Sequence, residues 1–262
     1  MTTFFILYIA GMGNNTSQSK LKISELFCSV QGEGPHAGTP CVFLRLATCN
    51  LKCSWCDTKY TWDWENYDFK KEVKETSIED VRRKILEFPD ISHIVITGGE
   101  PLLQQTKLVS LLRLIKQKKG NKGEEKSHRW YVEVETNGTV SPLKEIIDLV
   151  DQWNISPKTA NSFNNEHGIN LENLYRKSLS IYRDLENAFF KFVIDKHDDF
   201  EDMEYYMQKY DLPKERLILM PQATTKEKLL EKSGWINEYA KKNSITFSTR
   251  LQVLLWNNVR GK

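Results

Sequence analysis

Three cysteines lie close together, within a stretch of eight residues. Cys49, Cys53 and Cys56 are separated by four and then three positions, and they follow the apolar segment 41–46. A short loop closes at little cost in chain entropy, so thiolates at these spacings can converge on one soft metal centre. Because a closed zinc site or a closed iron–sulfur cubane takes four protein ligands, three thiols indicate either a missing ligand or a coordination position that stays free.

The composition sets limits on the class of protein. The chain has 262 residues, 40% of them hydrophobic, which is enough for one sizeable core. Its 37 basic and 35 acidic residues give a net charge of +2, which does not favour a protein that coats nucleic acid or a membrane surface. Five cysteines without a secretory signal favour a reducing cytoplasm over a disulfide framework. We expect a flexible N-terminal extension over residues 1–20 and a single domain over 21–262.

Apolar segments with strand character alternate with segments of helical periodicity. The predicted strands span residues 42–46, 93–97, 130–135, 152–155, 189–194, 216–220 and 245–247. The predicted helices span residues 78–88, 102–116, 143–150, 171–185, 203–210 and 226–242. This alternation predicts βαβ units around a mostly parallel sheet, either open or closed into a barrel. Fewer than eight strand candidates are visible, which favours an α/β fold with a partial (β/α) barrel.

Polar motifs follow several of the predicted strands at the point where each strand ends. They are the cysteine loop, Gly-Gly-Glu-Pro at 98–101, Glu-Thr-Asn-Gly at 135–138, Ser-Pro-Lys at 156–158 and Pro-Gln at 221–222. In both open α/β sheets and barrels, ligands gather at the carboxyl ends of the strands. The five motifs together therefore predict one composite site at that edge.

The cysteine spacing with an aromatic residue, Trp55, before the last thiol resembles the signature of the radical S-adenosylmethionine (SAM) superfamily. The resemblance implies a [4Fe–4S] cluster on the three cysteines, with a fourth iron that binds S-adenosylmethionine. The segment 98–101 resembles the GGEP element of that superfamily, although alone it is also typical of a strand-to-helix turn. A zinc site remains the alternative for the three thiols.

Segments on both sides of the cysteine loop indicate which family within the superfamily the chain resembles. Residues 25–35 (ELFCSVQGEGP), 43–45 (FLR) and 56–58 (CDT) together resemble the 7-carboxy-7-deazaguanine synthase family. The resemblance implies a partial barrel of the radical SAM type. The alternatives are another radical SAM enzyme, such as a glycyl-radical activase, and a zinc-stabilised binding module without catalytic activity.

The family resemblance assigns roles to residues at the strand ends. The implied contacts to S-adenosylmethionine come from Trp55, Cys56, Asp57, Gly99, Glu135, Ser156, Pro157, Lys158 and Gln222. The implied contacts to the substrate come from Val30, Gln31, Gly32, Glu33, Arg45 and Thr97. It also implies that the Thr58 hydroxyl, a hard oxygen ligand, binds Mg²⁺. No catalytic side chain is expected beyond the cluster and the cofactor.

Physical chemistry supports several of these roles, and alternatives remain for each. The amide of Gln31 and the carboxylate of Glu33 can read the amide and amine edge of a pterin, although their glycine-rich segment is also typical of a turn. Arg45 can hold a carboxylate through two parallel hydrogen bonds, or it forms a salt bridge at the surface. Glu135 can accept hydrogen bonds from ribose hydroxyls. Lys158 alone is also typical of a solvated surface lysine.

The implied reaction is a radical ring contraction. In this family the reduced cluster cleaves S-adenosylmethionine, and the 5′-deoxyadenosyl radical takes a hydrogen atom from C6 of 6-carboxy-5,6,7,8-tetrahydropterin. Loss of ammonia gives 7-carboxy-7-deazaguanine, a precursor in queuosine and archaeosine biosynthesis. The resemblance further implies an electron donor such as flavodoxin or ferredoxin and a homodimer, with no direct contact to nucleic acid or membrane.

One residue near the C-terminus departs from the family pattern, and the histidines add no metal site to it. Gln252 stands where the family ending usually has a histidine, and glutamine cannot act as a base near neutral pH. The five histidines are scattered at positions 36, 93, 128, 167 and 197, so each is predicted to be a surface or loop residue and not a metal ligand.

Overall fold

The computed structural model describes residues 19–116, 130–163, 173 and 175–262. In chain order, the strands are β1 (Lys20–Val30), β2 (Pro40–Leu46), β3 (Lys74–Ser77), β4 (His93–Gly98), β5 (Tyr131–Thr136), β6 (Gln152–Ile155), β7 (Ala188–Ile194), β8 (Leu217–Pro221) and β9 (Thr246–Phe247). The α-helices are α1 (Phe69–Glu72), α2 (Ile78–Ile85), α3 (Gln105–Lys116), α4 (Lys144–Ile147), α5 (Ser178–Arg183), α6 (Asp199–Tyr210), α7 (Lys226–Lys242) and α8 (Leu251–Trp256). None of the helices in these ranges has both the length and the apolar character to cross a membrane.

The nine strands form one sheet in the order β3-β1-β2-β4-β5-β6-β7-β8-β9. The seven strands from β2 to β9 in this order are parallel to one another, whereas β1 runs antiparallel to both β2 and β3. Because β3 and β9 are free edges, the sheet is not closed. The prediction of an α/β fold with a partial (β/α) barrel is confirmed.

Alternation along the strands gives the sheet two different faces. On β5, Val132 and Val134 are fully buried in the main hydrophobic cluster, which also contains residues of α3. Glu133 and Glu135 each follow one of these valines and point to the opposite face, because successive side chains of a strand alternate in direction. Lys191 is likewise a buried cation on the apolar strand β7. The outer face therefore packs against helices, and the inner face carries buried polar groups.

The segment that follows β1 reaches the segment that follows β9. The amide of Gly34 donates to Ser248 Oγ at 2.8 Å, and the amide of Leu251 donates to the carbonyl of Gly32 at 2.9 Å. These contacts join the two sides of the sheet, so the sheet curves around its polar inner face. The segment 31–39 thereby crosses the interior of the partial barrel.

The strand predictions hold for the parallel part of the sheet. All seven predicted strands are present, and β1 and β3 are additional strands that were not predicted. The missed strand β1 mixes charged and apolar residues and alternates clearly only at its beginning, where Leu21 and Ile23 are buried. The predicted helix at 226–242 matches α7, whereas the one at 143–150 is only the four-residue α4.

The predicted boundary at residue 20 is close to the start of the sheet. Residues 1–18 of the predicted extension lie outside the described residues, and Lys20 already pairs with Ser77 of β3. Much of the predicted helix at 171–185 also lies outside them, and its described part is α5. One sheet and one hydrophobic cluster that extends from Leu21 to Ile245 support our proposal that residues 21–262 form one domain.

Candidate active site

A cavity of about 260 Å³ opens at the carboxyl ends of the parallel strands. All of the predicted site residues except Pro157 line it, including the three cysteines, Thr58 and the segment 30–33. Pro157 is buried between Ser156 and Lys158, which both line the cavity. The structure therefore brings together residues predicted to bind the cluster, the cofactor and the substrate, as the composite-site prediction requires.

Hydrogen-bond donors surround the sulfur atoms of the cysteine loop. The indole Nε1 of Trp62 donates to Cys56 Sγ at 3.3 Å, and the amide of Leu51 donates to Cys49 Sγ at 3.4 Å. Asn137 Nδ2, which follows β5, lies 3.9 Å from Cys49 Sγ. Hydrogen bonds to the sulfurs are one of the means by which proteins tune iron–sulfur clusters.

The thiols fit a metal centre in which iron replaces the thiol protons. Burial raises the pKa of Cys49 to about 12 and that of Cys53 to about 11. Both groups are therefore neutral thiols at pH 7 unless a cation displaces the proton, as iron does on coordination. Three sulfur donors at the cavity wall, with N–H groups directed at two of them, fit a [4Fe–4S] cluster that has three protein ligands.

The two glycines after β4 allow its end to pair with the start of the cysteine loop. The amide of Gly99 donates to the carbonyl of Leu46 at 3.0 Å, and the amide of Glu100 donates to the carbonyl of Thr48 at 2.8 Å. A Cβ atom on Gly98 would lie 2.1 Å from the Leu46 carbonyl oxygen, and one on Gly99 would lie 2.1 Å from that of Thr48. Gly98 also has a φ of 143°, which disfavours other residues.

Glu100 links this turn to the end of β5. Its fully buried carboxylate accepts hydrogen bonds from the Leu102 amide at 3.0 Å, the Thr136 hydroxyl at 2.8 Å and the Asn137 amide at 2.8 Å. Burial raises the pKa of Glu100. Its role in fixing two loops of the site was not predicted, although its place in the Gly-Gly-Glu-Pro motif was a signal.

On the predicted cofactor side, Trp55 is held between two loops. Its Nε1 donates to the carbonyl of Asn161 at 3.0 Å, and Lys158 Nζ lies 5.3 Å from the centroid of its ring. Lys158 Nζ also donates to Ser156 Oγ at 2.8 Å. Lys158 is therefore not the solvated surface lysine of the alternative interpretation, because it lies in the cavity wall.

Glu135 lies at the boundary between the predicted cofactor and substrate residues. Its Oε1 accepts from Gln31 Nε2 at 3.1 Å, and its Oε2 accepts from Thr97 Oγ1 at 3.2 Å. Burial raises its pKa, and the nearby carboxylates of Glu33 and Glu133 act in the same direction. Both carboxylate oxygens thus already contact residues that were predicted to bind the substrate.

Glu33 has three polar side-chain partners in the cavity. Its carboxylate pairs with Lys191 Nζ, accepts from Arg250 Nε at 2.9 Å and accepts from Gln252 Nε2 at 2.7 Å. Burial alone would raise the pKa of Glu33, but the two cations outweigh burial and hold it well below its usual range. Glu33 is therefore a buried carboxylate at neutral pH, and its cationic partners are buried with it.

Arg250 joins this cluster to the cysteine loop. Its guanidinium pairs with both Glu33 and Asp57 and donates to the carbonyl of Ala223. Neither Arg250 nor Lys191 was among the predicted site residues. A lysine inside the apolar sequence of β7 was the available signal for Lys191, and Arg250 lies two residues before Gln252 in the recognised family ending.

In the side-chain amide of Gln252, the nitrogen has a hydrogen-bond partner and the oxygen has none. While its Nε2 donates to Glu33, its Oε1 is buried and has no hydrogen-bond partner. A Cβ atom on Gly32 would lie 1.8 Å from this oxygen, so a larger residue at position 32 would displace the Gln252 side chain from its present position. The unpaired oxygen lies in a residue that lines the cavity, where a ligand N–H group can donate to it.

Arg45 and Thr58 lie in the cavity wall with partners of their own. Arg45 Nε donates to Glu25 Oε2 at 2.7 Å, and the hydroxyl of Tyr60 donates to the same oxygen at 2.8 Å. The salt bridge proposed as the alternative for Arg45 therefore exists, but it is largely buried. Thr58 Oγ1 lies 3.6 Å from Cys56 Sγ, between the predicted cluster and the predicted substrate residues.

The prediction that each histidine is a surface or loop residue is wrong for His93. This residue is buried on β4, and its Nε2 lies 2.9 Å from Glu133 Oε2. His36 Nδ1 lies 3.3 Å from the same oxygen. The two histidines are far apart in sequence and meet only because the segment after β1 folds back across the sheet. His128 and His167 lie outside the described residues.

Comparison with protein families gives one match that covers more than half of the chain. The model of the radical SAM superfamily matches residues 45–196. This range begins at Arg45 and includes the cysteine loop and the motifs after β4, β5 and β6.

Curated relatives match over nearly the full length. A protein of Pyrobaculum aerophilum named 7-carboxy-7-deazaguanine synthase is 34% identical over 93% of this chain and 98% of its own. A protein of the same name from Hyperthermus butylicus is 32% identical over 90% of this chain and 92% of its own. These matches favour the synthase over a glycyl-radical activase or a zinc-binding module.

A solved structure shares the fold. The crystal structure of QueE from Escherichia coli superposes with a TM-score of 0.58 at 21% identity, and the match covers 88% of this chain and 94% of that one. At this level of identity the similarity supports the partial-barrel architecture.

The buried charge cluster leads to a prediction about stability. We expect the substitution Glu33→Gln to lower the free energy of unfolding by about 3–5 kcal/mol, because Lys191 and Arg250 then lose a buried counter-charge. Because the folded-state pKa of Glu33 is lowered, this stabilisation is fully present at neutral pH. It begins to fall once the pH drops below the unfolded value of about 4.3, and it is fully lost only below the lower folded-state pKa. Equilibrium urea unfolding at pH 7 and at pH 3 measures both effects.

A matched control is the more exposed ion pair Lys232–Asp195. The substitution Asp195→Asn should lower the free energy of unfolding by less than about 1 kcal/mol. In the double variant Glu33→Gln with Lys191→Met, the loss should be smaller than the sum of the single losses by about 2 kcal/mol. An equal cost for Glu33→Gln and Asp195→Asn would contradict the importance of the buried cluster.

Proposed function

This chain belongs to the 7-carboxy-7-deazaguanine synthase family within the radical SAM superfamily, and we propose that it converts 6-carboxy-5,6,7,8-tetrahydropterin to 7-carboxy-7-deazaguanine with loss of ammonia. One observation carries the proposal. The cysteine loop lies in the same cavity as Gln31, Glu33 and Arg45, the residues that distinguish this family from other radical SAM enzymes in the sequence.

The three thiols are the proposed ligands of the [4Fe–4S] cluster, and the coordination position that they leave free would be available to S-adenosylmethionine. When bound, these two groups supply the one-electron chemistry that removes a hydrogen atom from the substrate. The protein's contribution is to bind and orient. Trp55, Ser156 and Lys158 form one wall of the cofactor region, and the loop held by Gly99 lets its backbone approach the methionine end.

We propose that the substrate pterin lies against the segment 31–33 and Gln252. The unpaired Oε1 of Gln252 is an acceptor for an N–H group of the pterin, which removes the cost of leaving that oxygen buried without a partner. Glu33 is a fixed carboxylate acceptor because Lys191 and Arg250 keep it ionised. Arg45, whose Nε donates to Glu25, is the proposed partner of the substrate carboxylate.

Thr58 is the proposed protein ligand of a magnesium ion, which would supply positive charge for the substrate carboxylate. Its hydroxyl is a hard oxygen ligand, and Mg²⁺ commonly binds through few protein ligands together with substrate oxygens and water. The position of Thr58 supports this assignment, because it lines the same cavity as the three cysteines and Arg45. Asp57 is already paired with Arg250 and so is a weaker candidate for the metal.

The remaining parts of the proposal concern partners. The cluster needs one electron from a donor such as a flavodoxin or a ferredoxin, and five free thiols favour a reducing cytoplasm. We further propose a homodimer on the basis of the family resemblance. The substrate is a small molecule, and the near-neutral net charge does not favour direct binding of nucleic acid.

The proposed reaction is tested by an anaerobic assay. Protein that carries about four irons per chain is mixed with 6-carboxytetrahydropterin, S-adenosylmethionine, Mg²⁺ and a reductant. We expect 7-carboxy-7-deazaguanine to form, the rate to fall when Mg²⁺ is chelated, and the variant Cys56→Ala to form no product. Cluster-loaded protein that cleaves S-adenosylmethionine but leaves the pterin unchanged would contradict the proposed substrate.

The proposed contact from Gln252 leads to a separate prediction. We expect Gln252→Ala to raise KM for the pterin by about tenfold, which is the effect of one lost hydrogen bond of about 1.4 kcal/mol. The iron content and the KM for S-adenosylmethionine should stay unchanged. Steady-state kinetics measure these values, and Gln208→Ala on the exposed face of α6 is the control. An unchanged pterin KM in Gln252→Ala would remove this residue from substrate recognition.

A further inference from the structure

A second group of metal-ligating side chains lies on the inner face of the sheet, below the cavity. His93 comes from β4, Glu133 from β5 and His36 from the short 3₁₀ helix Gly34–His36. One ligand atom from each residue lies within 4.8 Å of the ligand atoms of the other two. Glu133 precedes Glu135 by two strand positions, which places this group about 7 Å from the Glu135 level towards the amino ends of the strands.

The carboxylate of Glu133 is oriented by two amides. Gln31 Nε2 donates to its Oε1 at 2.5 Å, and Asn154 Nδ2 donates to the same oxygen. The other oxygen, Oε2, faces the two imidazoles, at 2.9 Å from His93 Nε2 and 3.3 Å from His36 Nδ1. Metal-binding carboxylates and histidines are commonly fixed in this way, by hydrogen bonds to the atoms that do not bind the ion.

The direction of the His36 ring is the most informative feature. His36 Nδ1 is buried and makes no hydrogen bond, although Glu133 Oε2 is within 3.3 Å. A ring nitrogen donates or binds along the ring plane, so Nδ1 is not aimed at the nearby oxygen. The ligand atoms of the three residues thus lie close together, as the ligands of one metal ion do, and His36 Nδ1 has no hydrogen-bond partner among the described residues, whereas His93 Nε2 bonds to Glu133.

The surroundings hold the rings in place and leave the site accessible. The ring of Tyr131 packs against both imidazoles, with centroids 5.0 Å from each. The side chain of His36 is 32% exposed, whereas that of Glu133 is fully buried. An ion can therefore reach the group from the solvent side of His36, and water can complete its coordination.

We propose that His36, His93 and Glu133 form a binding site for one divalent first-row transition-metal ion, with Zn²⁺ as the best match. Two imidazoles and one carboxylate with a fourth position left to water form a known zinc ligand set, and imidazole also suits iron, nickel and copper. The site is distinct from the three cysteines, which lie at the opposite ends of the strands. It does not depend on the proposed substrate.

A metal ion at this site ties the segment after β1 to the sheet. His36 lies on the same segment as Gln31 and Glu33, and Gln31 bonds to both Glu133 and Glu135. An ion bound below the cavity therefore fixes the segment that forms part of the cavity wall. Its role is structural, since none of its three ligands lines the cavity.

The test measures zinc binding to cluster-loaded protein by equilibrium dialysis and metal analysis, with the cysteines occupied by iron. We expect about one zinc ion per chain in the wild type and in the control His197→Ala, which removes an exposed imidazole. The variants His36→Ala and His93→Gln should bind zinc at least tenfold more weakly than the wild type. Even the loss of a residue that only supports a metal ligand typically lowers metal affinity by about 10- to 100-fold.

Zinc K-edge X-ray absorption on the wild-type protein identifies the ligands directly. We expect nitrogen and oxygen neighbours at about 2.0–2.1 Å with imidazole scattering, and no sulfur at about 2.3 Å. Sulfur neighbours, no bound zinc, or equal binding by His36→Ala and wild type would overturn the proposal and leave a histidine–carboxylate hydrogen-bond cluster. His36 lies in a partly exposed loop, so His36→Ala remains informative if His93→Gln fails to fold.

Discussion

The ion pairs of Glu33 with Lys191 and Arg250 are the contacts on which the geometry of the site depends. They join three parts of the chain that are remote in sequence, namely the segment after β1, the strand β7 and the segment after β9. Burial of an unpaired carboxylate strongly destabilises the folded state, and so does burial of an unpaired lysine or arginine. The curved shape of the sheet and the position of the segment 31–33 therefore depend on each other.

Strand alternation gives the sheet an apolar outer face and an inner face that carries buried polar groups. Residues such as Val132 and Val134 form the core with the helices, and their neighbours Glu133 and Glu135 face inward. The inner carboxylates are satisfied by amides, hydroxyls and imidazoles supplied by other elements. The same sheet thus forms the hydrophobic core on one face and holds a set of fixed hydrogen-bonding groups on the other.

Local sequence patterns predicted the parts of the structure that local chemistry determines. The parallel strands are short apolar segments, and the cysteine loop and the Gly-Gly-Glu-Pro turn each contain their own signal. The strands β1 and β3 were missed because they mix charged, polar and apolar residues. Antiparallel pairing at the edge of the sheet stabilises them as strands. The pairing of Glu33 with Lys191, 158 positions away, and with Arg250, 217 positions away, follows from the curvature of the whole sheet and not from any local pattern. The meeting of His36 with His93 and Glu133 has the same cause.

We propose that the cluster, S-adenosylmethionine and the pterin-binding residues act in one cavity. The decisive measurement is an anaerobic turnover with 6-carboxytetrahydropterin deuterated at C6, followed by mass spectrometry of S-adenosylmethionine, which the proposed reaction regenerates after hydrogen transfer. We expect deuterium to move from the substrate into S-adenosylmethionine while 7-carboxy-7-deazaguanine forms. Product without deuterium in the cofactor, or no transfer in protein with a complete cluster, would contradict the proposed hydrogen transfer.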